Sequence, residues 1–207
     1  MPNFEFVNHS CVIISNNDVS LAMDPWIEGS VFNNSWDLLS KTNKKSIKSL
    51  KNSKFIWFSH EHPDHFNPPN LKIFSKKNIF LFQKTLDGRV VKYLKKISPN
   101  VIEISHKDVF QLSNNFTIEV IPFQYLDSMS IIRIDNLTIL NLNDCDIKNE
   151  SQLKFIKDKT GPIDILMVQF SYAIGKSNAD NIKERQIWAS DILNKLSSNI
   201  KFLNPKI

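Results

Sequence analysis

Three of the five histidines in this 207-residue chain fall inside one six-residue stretch, His60-Glu61-His62-Pro63-Asp64-His65. His60 and His62 are two residues apart just past an apolar run, so on extended backbone both imidazoles point to the same side and could share one ion. Pro63 fixes the local backbone. Asp64 and His65 then bring a carboxylate and a third imidazole toward the same space as the chain turns. Imidazole and carboxylate donors at about 2.0–2.2 Å suit Zn²⁺ and also accept iron or manganese. A merely solvated loop is a poor account of so many histidines in a chain that has so few.

Such a cluster needs elements to hold it. Short Val-, Ile- and Phe-rich runs bounded by Asn, Ser or Asp read as strands at Phe4–Val7, Cys11–Ser15, Ser20–Met23 and Phe55–Phe58, the last ending at Ser59 just before the motif. Asn16-Asn17-Asp18 reads as a turn, and 25–45 as an irregular passage. A short helix with an N-terminal proline is expected at Pro69–Phe74, followed by a strand at Ile79–Phe82. Leu86, Val90 and Leu94 recur every four residues, which predicts a helix over Thr85–Lys96 capped by Thr85. Strands follow at Val101–Ile104, Phe116–Ile121, Ser128–Ile134 and Leu137–Leu142. Next come a helix at Glu150–Asp158, a buried strand at Ile163–Val168, and a last amphipathic helix carrying Trp188, Ile192 and Leu196 ahead of Ile200–Leu203. Strands first, then strands alternating with helices, predict two sheets with helices packed outside. With no internal repeat and no linker, residues 1–207 read as a single domain.

Composition narrows the function classes. At 42% hydrophobic and 23% charged the chain can bury a core, and with Gly at 4, Pro at 9 and Cys at 2 residues it is neither collagen-like nor a disulfide scaffold. Cys11 and Cys145 lie far apart and outside any paired-cysteine motif, which points to a reducing, cytoplasmic compartment. No secretory signal opens the chain, and no stretch approaches the eighteen or so apolar residues of a membrane span. The formal charge is +5, but the lysines are scattered apart from a knot at Lys41, Lys44, Lys45, Lys48 and Lys51. That knot reads as solvated surface, and no nucleic-acid module accompanies it. The expected partner is a small anionic molecule, with neither nucleic acid nor membrane involved. A homo-oligomer is compatible with the sequence.

His-x-His-x-Asp-His after a buried strand resembles the signature of the metallo-β-lactamase superfamily. That resemblance implies a four-layer αββα sandwich and a metal-dependent hydrolase. Asn8-His9-Ser10-Cys11-Val12-Ile13-Ile14 resembles the opening hairpin of its ascorbate-phosphate-lactonase-like branch. Asp24-Pro25-Trp26-Ile27-Glu28-Gly29, Phe32-Asn33-Asn34-Ser35-Trp36 and His60 to Asn67 resemble, more narrowly, the hydrolase-like domain of CMP-N-acetylneuraminate hydroxylase and bacterial relatives. Ile139 to Cys145 is similar to the later strand that delivers a bridging aspartate. The resemblance implies His60 and His62 on a first ion, Asp64 and His65 on a second, and Asp144 between them. It makes Asp64 the catalytic group that orients the attacking water and takes its proton. Asp24 would bond a ligand imidazole and fix its tautomer, and His9 would support the metal site. One or two Zn²⁺ ions, or iron or manganese, would activate the water.

The chain departs from that pattern twice. Where the superfamily places another first-ion histidine, this chain has Ile121-Pro122-Phe123-Gln124-Tyr125-Leu126-Asp127-Ser128, with Gln124 and Asp127 as candidate substitutes. The superfamily's late histidine has no counterpart after His106, which itself reads as a surface residue in a turn. The chain stops at Asn204-Pro205-Lys206-Ile207, so the sandwich is expected to lack its last strand, either through truncation or with one metal held by an unusual set. Trp26, Trp36, Phe32 and Phe66 are candidates for a pocket wall. The leading reading is a metal-dependent hydrolase of a small anionic substrate such as a sugar phosphate, lactone or nucleotide-sugar. The alternatives are a non-catalytic relative, or a component of a nucleotide-sugar hydroxylase system. The hydroxylase reading needs a separate Rieske partner, because Cys11 and Cys145 lack the pattern of such a centre.

Overall fold

The computed structural model describes residues 1–17, 19–106, 108–170 and 181–207. Asp18 and Lys107, which belong to two of the expected turns, lie outside the described residues. One sheet runs in chain order through β1 (Asn3–Asn8), β2 (Cys11–Asn16), β3 (Val19–Met23), β4 (Phe55–Phe58), β5 (Ile79–Gln83) and β6 (Val101–Ile104). The first three strands are antiparallel neighbours, and β3 to β6 are parallel. The second sheet is an antiparallel meander of β7 (Val109–Ser113), β8 (Phe116–Phe123), β9 (Asp127–Ile134) and β10 (Leu137–Asn141), with β11 (Ile165–Met167) parallel to β10 at the far edge.

Two-residue periodicity decides which side chain goes where. Val12, Ile14, Leu21, Met23, Phe55, Trp57 and Leu81 face Phe116, Ile118, Val120, Ile132, Ile134 and Ile139 across the gap between the sheets. Their alternates Ile13, Ala22, Ile56, Phe58, Phe80 and Phe82 face outward. They pack under α1 (Lys44–Asn52), a 3₁₀ segment (Pro68–Ile73) and α2 (Arg89–Ile97). On the second sheet Ile131, Leu140 and Leu142 pack with Leu153 and Ile156 of α3 (Glu150–Thr160) and Leu203 of α4 (Ile182–Leu203). The result is the expected helix–sheet–sheet–helix order. Strands buried on both faces carry unbroken apolar runs, as in the Phe-Ile-Trp-Phe of β4.

Several boundaries differ from expectation. The predicted helix over Thr85–Lys96 begins only at Arg89, because Gly88 takes a left-handed turn (φ 60°) with its amide bonded to Thr85 Oγ1; Leu86 is therefore fully exposed. Helix α1 begins at the end of the passage read as irregular and runs on through residues given no element; Ser46 and Leu50 are buried with Ile47 packed beside them among lysines, and Asn43 caps the helix by accepting from Ser46 N. The knot lysines are exposed, as expected. Strand β7 was not anticipated. The predicted strand Ile163–Val168 shortens to the half-buried β11. Ile207, the last residue, donates its amide to Asp164 O and accepts from Leu166 N, a parallel-strand pairing opposite Ile165. Among the described residues, no helix is long and apolar enough to cross a membrane.

Asn70, from the 3₁₀ segment, is buried and bonds Ile27 N, Glu28 N and Glu28 O, fixing the loop that leaves β3. Asn70→Ala leaves those amides without partners. It should cost about 2–4 kcal/mol of stability in urea unfolding, whereas an exposed change such as Lys48→Ala should leave the midpoint unmoved.

Candidate metal centre

The carboxyl ends of parallel strands form a ligand crevice, and here β3 ends into Asp24 and β4 into Ser59 and His60. The β1–β2 turn adds His9, β9 opens with Asp127, and Asp144 follows shortly after β10. His9, Asp24, Gln124 and Asn143 all hold left-handed φ values of 44–53° without being glycine. Each such residue costs of order 1–3 kcal/mol, a strain that concentrates where side chains must be aimed.

Asp24 is completely buried and fixes the imidazoles behind the crevice. Its Oδ1 accepts from Ser59 N (2.7 Å), and its Oδ2 accepts from Ser59 Oγ (2.7 Å) and from His65 Nδ1 (2.9 Å). Ser59 Oγ, its proton given to Asp24, accepts from His60 Nδ1 at 2.9 Å. Both Nε2 atoms are thereby turned toward the crevice, where a metal ion would take the place of any proton they carry. In front, His60 Nε2 lies 2.8 Å from His62 Nδ1, 3.8 Å from Asp127 Oδ1 and 3.9 Å from Asp144 Oδ2. His65 Nε2 lies 3.4 Å from Asp144 Oδ2 and 3.5 Å from Asp64 Oδ2, which is itself 3.0 Å from His9 Nε2.

Among the described residues three donor groups result, His60–His62–Asp127, His60–His65–Asp144 and His9–Asp64–His65, each with its donor atoms within 4.8 Å of one another. They interlock through His60 and His65. Of the two candidate substitutes the structure brings Asp127 to the imidazoles, while Gln124 is an exposed residue of the preceding turn. His106 is exposed, as expected. Trp26 and Phe66 are core residues rather than pocket wall, whereas Phe32 and Trp36 stack edge-on at the rim, with the Phe32 ring 6.2 Å from that of His62. Sequence reasoning missed Ser59, Gln83, Ser128 and Asn143. Ser128 Oγ and Gln83 Nε2 both donate to Ser59 O, Gln83 also donates to Leu126 O, and Asn143 Nδ2 donates to Ser128 O. These bonds tie the start of β9, and hence Asp127, to the end of β4. Their signal was a polar residue at the end of an apolar run, as Gln83 is after Ile79-Phe80-Leu81-Phe82.

The electrostatics suit a cation. Burial, reinforced by the charge on His65, lowers the His60 pKa to about 4, so this imidazole is neutral at physiological pH. Burial opposes ionisation of Asp144, but the hydrogen bond and charge of His65 win and lower its pKa to about 2. Burial would also disfavour a charged His65, yet the Asp24 and Asp144 carboxylates hold its pKa well above 6.5. The pKa of Asp127 is raised by burial and by the neighbouring Asp144 charge. Asp64 Oδ1 is buried with no hydrogen-bond partner. Crowded carboxylates, a buried carboxylate oxygen without a partner and imidazole nitrogens turned to the same crevice fit divalent metal ions, with the proton on His65 giving way to the ion.

Residues 3–185 match the family model described as a beta-lactamase superfamily domain. The chain belongs to this superfamily. Among its relatives, the cytidine monophosphate-N-acetylneuraminic acid hydroxylase of Danio rerio is 25% identical over 174 residues, a match covering 80% of this chain and 28% of the relative. This superfamily chain therefore spans about a third of such curated relatives. CmlA, a diiron beta-hydroxylase from Streptomyces venezuelae, shares the fold at a TM-score of 0.70 and 15% identity, over 99% of this chain and 43% of that one. A possible metal-dependent hydrolase from Veillonella parvula does so at a TM-score of 0.65 and 12% identity, over 92% and 82% of the two chains. The metallo-β-lactamase fold expected from the motif is thus the fold observed.

The His60 shift has a defined sign. With a folded pKa of about 4 against an unfolded value near 6.5, the metal-free protein binds fewer protons than its unfolded chain between those limits. This contribution is present above pH 6.5 and is lost as the pH falls toward 4. The raised His65 pKa adds no slope there, since that group is protonated in both states below about pH 6.5. Urea unfolding of chelator-treated protein should show about 2–3 kcal/mol less stability near pH 4.5 than near pH 6.5, and His60→Asn should flatten that dependence.

Proposed function

We propose that this chain is a metal-dependent hydrolase of a small anionic substrate, with His60, His62 and Asp127 holding one ion, Asp64 and His65 a second, and Asp144 between the two. The observation that carries the reading is the interlocking of three donor groups at the strand ends, joined through His60 and His65 and centred on Asp144. Bound there, divalent ions supply Lewis acidity and acidify water. The chain supplies the rest. Asp64, its pKa held low against burial by the His9 hydrogen bond and the His65 charge, is ionised at neutral pH. Set beside His9 and His65, its carboxylate is the candidate acceptor for a proton from the attacking water. Asp24 and Ser59 hold both buried imidazoles by Nδ1, with Nε2 turned to the crevice. The edge-on pair Phe32 and Trp36 gives the mouth an apolar rim, and the net charge of +5 favours anions.

Oxygen chemistry on a nucleotide-activated sugar is the second reading, favoured by hydroxylases among the relatives and by a carboxylate-rich donor set that suits iron or manganese as well as zinc. Electrons for it would have to come from a separate partner. Cys11 and Cys145 pack in clusters on opposite outer faces of the sandwich and cannot share a Rieske centre.

Elemental analysis should find two ions per chain, and the loaded protein should hydrolyse a generic lactone or phosphodiester. Asp144→Ala should abolish turnover, and Asp127→Asn should lower affinity for one ion by more than tenfold with the other retained. Asp24→Asn should weaken metal binding about 10–100-fold. Full metal occupancy with no hydrolysis, but with substrate oxidation when oxygen and a reductant are supplied, would favour the second reading.

A further inference from the structure

The second ion has three donors in the reading above, two carboxylates and one imidazole, and such an ion can take a fourth protein donor beside a water by expanding to five-coordinate. We infer that His9 is its fourth protein donor; the inference rests on the two-ion reading. His9 Nε2 lies 3.0 Å from Asp64 Oδ2 and shares a donor group with Asp64 and His65. Donors bonded to one ion at about 2.0–2.2 Å stand roughly 3.0–3.5 Å apart, so the separation suits co-ligands as well as it suits a hydrogen bond. The ring is aimed. It packs edge-on against the buried Trp26 (centroids 5.1 Å, 79°) and against His65 (5.8 Å, 71°), and Trp26 is itself held by its Nε1–H bond to Gly29 O.

The backbone argues the same way. His9 is the first residue of the two-residue turn joining β1 to β2 and has φ 50°, a conformation that glycine or asparagine adopts at less cost. The preceding Asn8 anchors the turn by donating to Ser40 O and Thr42 Oγ1. A turn pinned on one side and strained on the other holds an imidazole over the same carboxylate that the HxHxDH segment supplies. The His9 side chain is 30% exposed, so this donor closes the centre from its open side.

The test counts ions and needs no substrate. Chelator-stripped protein is reloaded with Zn²⁺ and, separately, Mn²⁺. Bound metal is counted after gel filtration, and stepwise affinities are taken by competition with a chromophoric chelator. The wild type should hold two ions. His9→Ala, His9→Asn and His9→Gln should each hold one, with the first affinity unchanged and the second weakened at least 100-fold. Asparagine suits the left-handed turn, and glutamine keeps an N–H to offer Asp64. Metal-free melting points within a few degrees of wild type show that the variants fold. Two ions held by His9→Gln or His9→Asn at near wild-type affinity would overturn the inference, reducing His9 to a hydrogen-bond donor while leaving the two-ion reading intact. Fewer than two ions in the wild type would overturn both.

Discussion

A single buried carboxylate organises this molecule's crevice. Asp24 has no exposed surface, and an unpaired charge in that position would cost several kcal/mol. It is held by Ser59 N, Ser59 Oγ and His65 Nδ1, charge-assisted bonds each contributing about 1.5–3 kcal/mol. The same bonds dictate where protons sit on two imidazoles. With His65 Nδ1–H bound to Asp24 and His60 Nδ1–H bound to Ser59, both Nε2 atoms have one direction left, and it is the direction of Asp64, Asp127 and Asp144.

That constraint explains why the site sits where two sheets end. Asp24 N bonds Trp57 O, extending the β3–β4 ladder by one step before the chain turns left-handed. Trp57 and Met23 lock the inner faces of those strands against the second sheet, while Ile56, Phe58 and Ala22 lock the outer faces under the helices. The strained turns at His9, Asp24 and Asn143 persist because close-packed layers on both sides over-determine them. Ser128 and Gln83 carry the restraint across the gap by gripping Ser59 O, so the second sheet delivers Asp127 in register with histidines from the first.

The centre of this arrangement was legible in the sequence because its chemistry is local. Strand β4 and the histidine run after it are contiguous, and no long-range pairing is needed to see that His60, His62, Asp64 and His65 converge. Asp127 was harder. A carboxylate 67 residues from His60 becomes a neighbour only through the pairing of β8 with β9 and the grip of Ser128 on Ser59, and Gln124 was an equal candidate on chain position alone. Helix α1 was invisible to periodicity because only two of its inward residues, Ile47 and Leu50, are apolar, and Ser46 is buried beside them. Helix α2 started late because the left-handed Gly88 overrode the four-residue spacing from Leu86. Asp24 drew notice only through a family resemblance, and its partner Ser59 looked like the trivial end of a strand. The sense of a buried hydrogen-bond hub lies in three dimensions.

The account stands on two ions held by named donors around Asp144. Anomalous diffraction from crystals loaded with Mn²⁺ or Zn²⁺, collected at the metal edge, tests it most directly. The account predicts two peaks per chain, one among His60, His62 and Asp127 and the other among His9, Asp64 and His65, with Asp144 touching both. No peak between these residues, or a peak confined to surface carboxylates away from the strand ends, would contradict it.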